Sequence, residues 1–128
     1  MSEPPEVPPV TRLLDQARVD AYAEAAGDHN PIHIDAEFAA STAFGQRIAH
    51  GMLVLALVSE AMTAAFGMRW ATSGALKVRW RAPAVQPVTV TARATLRSSQ
   101  GGVATYEVTC ESEDGTVLLA GTASVAYE

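Results

Sequence analysis

The chain changes hydrophobic period near its middle. In the first half, Val19, Tyr22, Ala23 and Ala26 recur at helical spacing behind Asp15, a residue suited to an N-cap. Gly27 follows the last of them and ends the predicted helix. A short strand over residues 10–14 is expected before this helix, and a second short helix over residues 35–43 after it. Residues 52–66 are apolar on almost every face, through Leu53, Leu55, Ala56, Leu57, Val58, Ala61, Met62 and Ala65. Such a segment predicts a helix buried all round, with Gly51 at its entrance.

Beyond it the period becomes two. Leu76, Val78 and Trp80 alternate with Lys77, Arg79 and Arg81. Val88, Val90, Ala92, Ala94 and Leu96 alternate with Thr89, Thr91, Arg93, Thr95 and Arg97, and Ala104, Tyr106, Val108 and Cys110 with Thr105, Glu107, Thr109 and Glu111. These are half-buried antiparallel strands. Gly101-Gly102 and Asp114-Gly115 are hairpin signals, and a last strand is expected over residues 116–127. The pieces assemble most simply as an α+β fold: a meander curved around one buried helix. Residues 1–9 read as an extended Pro-rich arm and residues 10–128 as a single domain. One helix and one sheet leave apolar surface uncovered, so a homodimer or higher homo-oligomer is expected.

Composition narrows the class. With 48% hydrophobic and 18% charged residues, the 128-residue chain supports a packed core. A net charge of −5 argues against nucleic acid as a partner. Cys110 is the single cysteine, which rules out an intrachain disulfide, and it falls among alternating apolar residues as a small core side chain. The start carries two glutamates and four prolines within nine residues, without the charge pattern of a signal peptide. The longest apolar run, residues 52–58, is too short to span a bilayer. A cytoplasmic protein with no membrane partner is therefore expected.

Candidate chemistry concentrates in Gly27-Asp28-His29-Asn30-Pro31-Ile32-His33-Ile34-Asp35. A carboxylate and an imidazole lie five residues apart in a proline-stiffened segment. A turn at Asn30-Pro31 brings Asp28 and His33 toward one point, and the pair suits proton transfer to and from water. The same residues also suit a plain turn after a helix with a hydrogen-bonded structural histidine. A metal site from Asp28, His33 and Asp35 is a third reading, without familiar ligand spacing to support it. The second feature is Ile48-Ala49-His50-Gly51-Met52. A glycine opening a buried helix offers a free N–H at a positive dipole end, suited to an oxyanion; it also simply permits close packing. His50 is read as a structural hydrogen-bonding residue. Ser59, two turns into the helix, either positions a carboxylate or bonds back to Leu55.

The stretch from Ala26 to Asp35, followed by Arg47-Ile48-Ala49-His50-Gly51-Met52-Leu53, closely resembles the MaoC-like family, which includes R-specific enoyl-CoA hydratases and 3-hydroxyacyl thioester dehydratases. The element order resembles that family's single hotdog domain over nearly the whole chain. The resemblance implies that Asp28 and His33 activate one water, that Asn30 supports the site, that the Gly51 amide polarises a thioester carbonyl, and that Ser59 contacts the catalytic carboxylate. It implies reversible syn hydration of trans-2-enoyl thioesters of coenzyme A or acyl carrier protein to (3R)-hydroxyacyl thioesters, with no metal and no redox cofactor.

Two positions depart from the family pattern. Val85-Gln86-Pro87 replaces a Gly-Asp turn, and Trp80 stands where Phe is common. Both are expected to leave Asp28 and His33 untouched and to bear on chain-length preference. Lys77, Arg79, Arg81, Arg93 and Arg97 either meet phosphates of the thioester arm or form a solvated sheet face. Arg47 is expected in a structural ion pair. Two other functions fit the same fold: an acyl-CoA thioesterase, and a non-catalytic or partner-dependent subunit that binds acyl thioesters.

Overall fold

The computed structural model describes residues 3–128. Strand β1 (Val7–Leu14) leads into helix α1 (Gln16–Ala26). Two short helices follow, α2 (Pro31–Ile34) and α3 (Ala36–Ala40), and then the long helix α4 (Gly51–Phe66). Helix α5 (Met68–Ser73) precedes four strands: β2 (Ala75–Trp80), β3 (Val88–Gln100), β4 (Val103–Ser112) and β5 (Val117–Ala126). All five strands form one antiparallel sheet in the order β1-β3-β4-β5-β2.

The helix boundaries follow local chemistry. Asp15 accepts from Arg18 N–H at the head of α1, and Gly27 closes it with a left-handed φ of 71°. Asp35 caps α3 by accepting from Phe38 N–H. The hairpin glycines Gly101 and Gly102 both have positive φ, as a tight turn between β3 and β4 requires. Helix α4 lies in the concave face of the sheet. Leu53, Val54, Leu57, Val58, Ala61, Met62 and Phe66 are buried there against Leu14, Val90, Tyr106, Val108 and Leu119. Fully burying each large aliphatic side chain is worth roughly 1.5–3 kcal/mol.

Four expectations need correction. The proline arm is shorter than nine residues, because Val7–Pro9 already belong to β1. Helix α4 is not buried all round: Met52 is 56% exposed, and Ala56, Glu60, Thr63 and Ala64 share its open face. One sheet can cover only one side of a helix. The strands are not a simple meander either. β3, β4 and β5 are consecutive neighbours, but β2 pairs with β5 at the far edge. The connection over residues 81–87 must therefore cross back toward β3. It passes the head of α4, where Ala49 N–H donates to Ala84 O at 2.8 Å and Gln86 N–H to Arg47 O at 3.0 Å. Finally, the sequence predicts only a turn after Gly27, whereas Pro31–Ile34 forms a short helix, with Asn30 extended ahead of it at ψ 128° as the following proline requires; α5 carried no sequence signal.

Cys110 is buried as expected, its Sγ lying 3.6 Å from Val54 O. Burial pushes its thiol up to about 12. No helix among the described residues is long and apolar enough to cross a membrane.

Candidate active site

Three hydrogen bonds shape the turn that carries the candidate acid–base residues. Asp28 N–H donates to Ala23 O at 3.1 Å, closing α1. Asn30 N–H donates to Asp28 Oδ1 at 3.3 Å, and Asn30 Oδ1 accepts from Ile32 N–H at 3.1 Å. Asn30 is thus the N-cap of α2, with Pro31 in the first turn where its missing N–H costs nothing. This turn folds His33 back toward Asp28. Asp28 stays exposed while His33 is buried.

His33 Nδ1 lies 2.8 Å from Ile48 O. A carbonyl only accepts, so Nδ1 carries the hydrogen and the neutral ring presents its lone pair at Nε2. His50 Nε2 lies 3.0 Å from Asp28 O, which by the same reasoning puts the His50 hydrogen on Nε2. Its Nδ1 is buried without a partner. The two imidazoles stack with centroids 3.8 Å apart and planes 27° apart, and the Tyr22 ring packs tilted against His50 at 4.7 Å. His50 therefore has the structural hydrogen bond expected of it, and it also supports both Asp28 and His33.

One carboxylate oxygen of Asp28 and one ring nitrogen from each of His33 and His50 lie within 4.8 Å of one another. Two hydrogen bonds of about 2.8 Å meeting at a tetrahedral angle span about 4.6 Å, so this spacing suits one shared water. The cluster also has the residue types of a metal site, with His50 in place of the expected Asp35, which caps α3 instead.

Gly51 opens α4 immediately after His50. No side chain caps this helix end, and the first N–H of a helix has no carbonyl one turn behind it. The peptide preceding that N–H is polarised, because His50 O accepts from both Leu53 N–H and Val54 N–H, at 3.0 and 3.2 Å. Trp80 Nε1–H donates to Gly51 O at 2.9 Å. A Cβ at Gly51 would stand 2.8 Å from that nitrogen, so any larger residue there must displace the indole or the head of α4. Beside Gly51 opens a cavity of about 380 Å³ lined by apolar groups, including Phe44, Ile48, Val54, Ala84 and Leu118.

Ser59 stands apart from this group. It accepts from Trp70 Nε1–H at 2.9 Å, and among the described residues no hydrogen bond joins it to Asp28. Eight residues along α4 place it roughly 12 Å from Gly51. Among the described residues neither contact expected of Ser59 is formed within the single chain. Arg47 has no ion pair among the described residues and borders a separate cavity of about 490 Å³. The strand cations Lys77, Arg79, Arg81, Arg93 and Arg97 are all exposed, and Arg97 alone among them pairs, with Glu107 at 3.9 Å.

Both sequence departures reach the site after all. Trp80 touches Gly51, as above. Gln86 is buried, and its Nε2–H donates to His33 O at 3.2 Å. Gln16 Nε2–H donates to the same carbonyl at 3.0 Å. No periodic pattern marks Gln16 or Gln86, which lie 17 and 53 residues from His33.

Comparison with known proteins agrees with this architecture. The family model described as "MaoC like domain" matches residues 2–116. The chain is 42% identical over 86 residues to 3-hydroxyacyl-thioester dehydratase Z of Mycobacterium tuberculosis, covering 64% of this chain and 56% of that protein. It is 30% identical over 122 residues to an (R)-specific enoyl-CoA hydratase of Rhodospirillum rubrum, covering 91% of this chain and 81% of that one. The structure of an (R)-hydratase from A. caviae involved in PHA biosynthesis superposes with a TM-score of 0.86 at 25% identity, covering 99% of this chain and all of that one. With its motifs, its sheet around a single long helix and a match over most of its length, the chain belongs to the MaoC-like family and has the hotdog fold.

Proposed function

We propose that the protein catalyses reversible syn hydration of trans-2-enoyl thioesters to (3R)-3-hydroxyacyl thioesters, as a hydro-lyase. The observation that supports this reading is the approach of an Asp28 carboxylate oxygen and a His33 ring nitrogen to within 4.8 Å, a spacing one water bridges, in a ring whose Nδ1 is anchored to Ile48 O. The relatives named above, a dehydratase and two hydratases, support the same reaction class.

Asp28 and His33 hold one water and take up its proton as its oxygen attacks C3. The C2–C3 electron pair moves toward the thioester oxygen, where the Gly51 N–H at the positive end of α4 stabilises the developing charge. Collapse of this enolate draws a proton onto C2 from the same Asp28–His33 pair. Hydroxyl and proton thus arrive on one face, which makes the addition syn. Asn30 fixes the turn between the two side chains. The apolar lining of the cavity beside Gly51 suits an acyl chain. The reaction draws on no metal and no redox cofactor, and the thioester arm belongs to coenzyme A or acyl carrier protein. The working form is a homo-oligomer, since the exposed face of α4 and the open edge of β2 suit a second copy.

Loss of enoyl absorbance when the purified chain meets crotonyl-CoA tests the reading. Asp28→Asn and His33→Ala are expected to lower turnover about a hundredfold or more each, the usual contribution of positioned acid–base groups. Thiol release without loss of the enoyl signal would identify a thioesterase. Activity only after a second, different chain is added would identify a partner-dependent subunit.

A further inference from the structure

The carbonyl of His33 ends a helix of four residues, Pro31–Ile34. A single turn is too short to hold itself, because nucleating a helix fixes several dihedrals for one hydrogen bond. Its last carbonyls have no intrahelical donors. Yet His33, in its last turn, must be aimed closely enough to share a water with Asp28. The front of the turn is held by Asn30. Two side-chain amides hold the back: Gln16 Nε2 from the start of α1 at 3.0 Å, and Gln86 Nε2 from the β2–β3 crossover at 3.2 Å.

The unused ends of these amides show what sets their orientation. Gln16 Oε1 and Gln86 Oε1 are both buried and have no partner. Turning either amide over would press its oxygen against the His33 carbonyl oxygen. Each is oriented by its donor end, at the expense of its acceptor end, and Gln16 Nε2 is further held by a bond to Asp20 Oδ1 at 2.7 Å. Gln86 is held in turn by its backbone, whose N–H donates to Arg47 O. The same crossover pairs Val85 with Ile48, the residue whose carbonyl accepts from the His33 ring. Both ends of His33, ring and carbonyl, are therefore referenced to one segment of chain.

We infer that Gln86 and Gln16 are positioning residues for His33, acting as a two-amide clamp on its carbonyl that fixes where its imidazole points. This rests on the hydratase reading for its kinetic consequence, but the clamp has a readout of its own. Neither glutamine lines the cavity beside Gly51; both border the separate cavity of about 490 Å³ next to Arg47, so the effect is expected on turnover more than on binding. Because both amides serve one carbonyl, each partly covers for loss of the other.

The test compares Gln86→Met, Gln16→Leu and the double variant by crotonyl-CoA hydration, thermal unfolding and long-range ¹H–¹⁵N spectra of the histidine rings. Gln86→Met is expected to lower kcat about tenfold with KM within twofold, since small misplacement of a reacting group is costly. The double variant should lose more than the product of the two single losses. In its spectra the His33 ring should move from a fixed Nδ1–H form to an average of both tautomers. Gln16 is only half-buried, so Gln16→Leu supplies the spectral readout if Gln86→Met does not fold. A folded double variant with unchanged kcat and an unchanged His33 tautomer would overturn the clamp. So would a loss of kcat that follows thermal stability alone while the tautomer stays fixed. If the native chain does not hydrate enoyl thioesters, the hydratase reading fails, while the spectra still decide the clamp.

Discussion

His33 and His50 lie ring on ring, 3.8 Å between centroids, and each ring donates to a backbone carbonyl on the other's side of the site: His33 to Ile48, His50 to Asp28. This cross-bracing ties the motif turn after α1 to the head of α4, two segments that each carry part of the candidate chemistry. It also explains why a histidine immediately before the helix is so deeply buried.

His50→Phe tests the brace. The phenyl ring keeps the stack and the packing against Tyr22 but removes the donor to Asp28 O. A carbonyl left without its donor in a part-buried setting costs about 1–3 kcal/mol, readable as a shift in the urea midpoint. Turnover should fall at least tenfold as the Asp28 backbone loosens. Unchanged stability together with unchanged turnover would mean that the bond to Asp28 contributes nothing.

How much of this was legible in the sequence depends on the range of each interaction. Asp15, Gly27 and Gly101-Gly102 act on neighbours a few residues away, and the elements they bound stand where their chemistry put them. The Asp28–His33 pairing was legible for the same reason: five residues and a proline turn. The place of β2 was not. No tight turn joins it to β3, and nothing local says that a seven-residue link crosses the molecule. Gln86 was read as part of a strand connection alone, because its bond to His33 exists only once that crossover is in place. The open face of α4 was missed because its alanines count as apolar in a pattern whether or not anything covers them. The bond between Ser59 and Trp70 was not legible either, because α5 left no periodic trace.

The Gly51–Trp80 approach gives a second prediction. Gly51→Ala places a Cβ 2.8 Å from Trp80 Nε1, closer than side-chain carbons tolerate. Relief requires either the indole or the head of α4 to move, and overpacking of this kind costs about 1–3 kcal/mol. Trp80→Phe removes the pyrrole nitrogen, and it should restore most of the stability lost in Gly51→Ala when the two are combined. Equilibrium unfolding of the two single variants and the double variant measures this coupling. Simple additivity would show that the indole is not what excludes a side chain at Gly51.

Cys110 supplies a probe of the core. With its thiol at about 12, the thiolate fraction at pH 8 is on the order of 10⁻⁴. The folded chain should therefore resist iodoacetamide at pH 8 and be labelled fully in urea, as followed by mass spectrometry. The linkage runs in the matching direction. The thiol ionises at lower pH in the unfolded chain, so its contribution to stability is complete below the ordinary cysteine value and declines as pH rises toward 12. Rapid labelling of the native protein would mean that the sheet opens over Cys110 without global unfolding.

The uncovered side of α4 carries the last prediction. Met52, Ala56, Glu60 and Thr63 lie on one face of a helix whose opposite face is packed into the sheet, and Leu55 and Ser59 beside them are only half-buried. At one edge of the sheet, Trp80 is 49% exposed on a strand with one unpaired side. Apolar groups at a helix face and an open strand edge are both costly to leave in water. A second copy satisfies both, so the native chain should have twice the 13.5 kDa mass of one chain in light scattering at micromolar concentration. Ala56→Glu places a charge in the middle of the helix face, at a position open to solvent in the single chain, and glutamate is a good helix former. The variant should keep its helical circular dichroism and sediment as a monomer. A dimer of undiminished affinity in Ala56→Glu would put the contact elsewhere on the surface, and a native monomer would leave the face without a partner of its own kind.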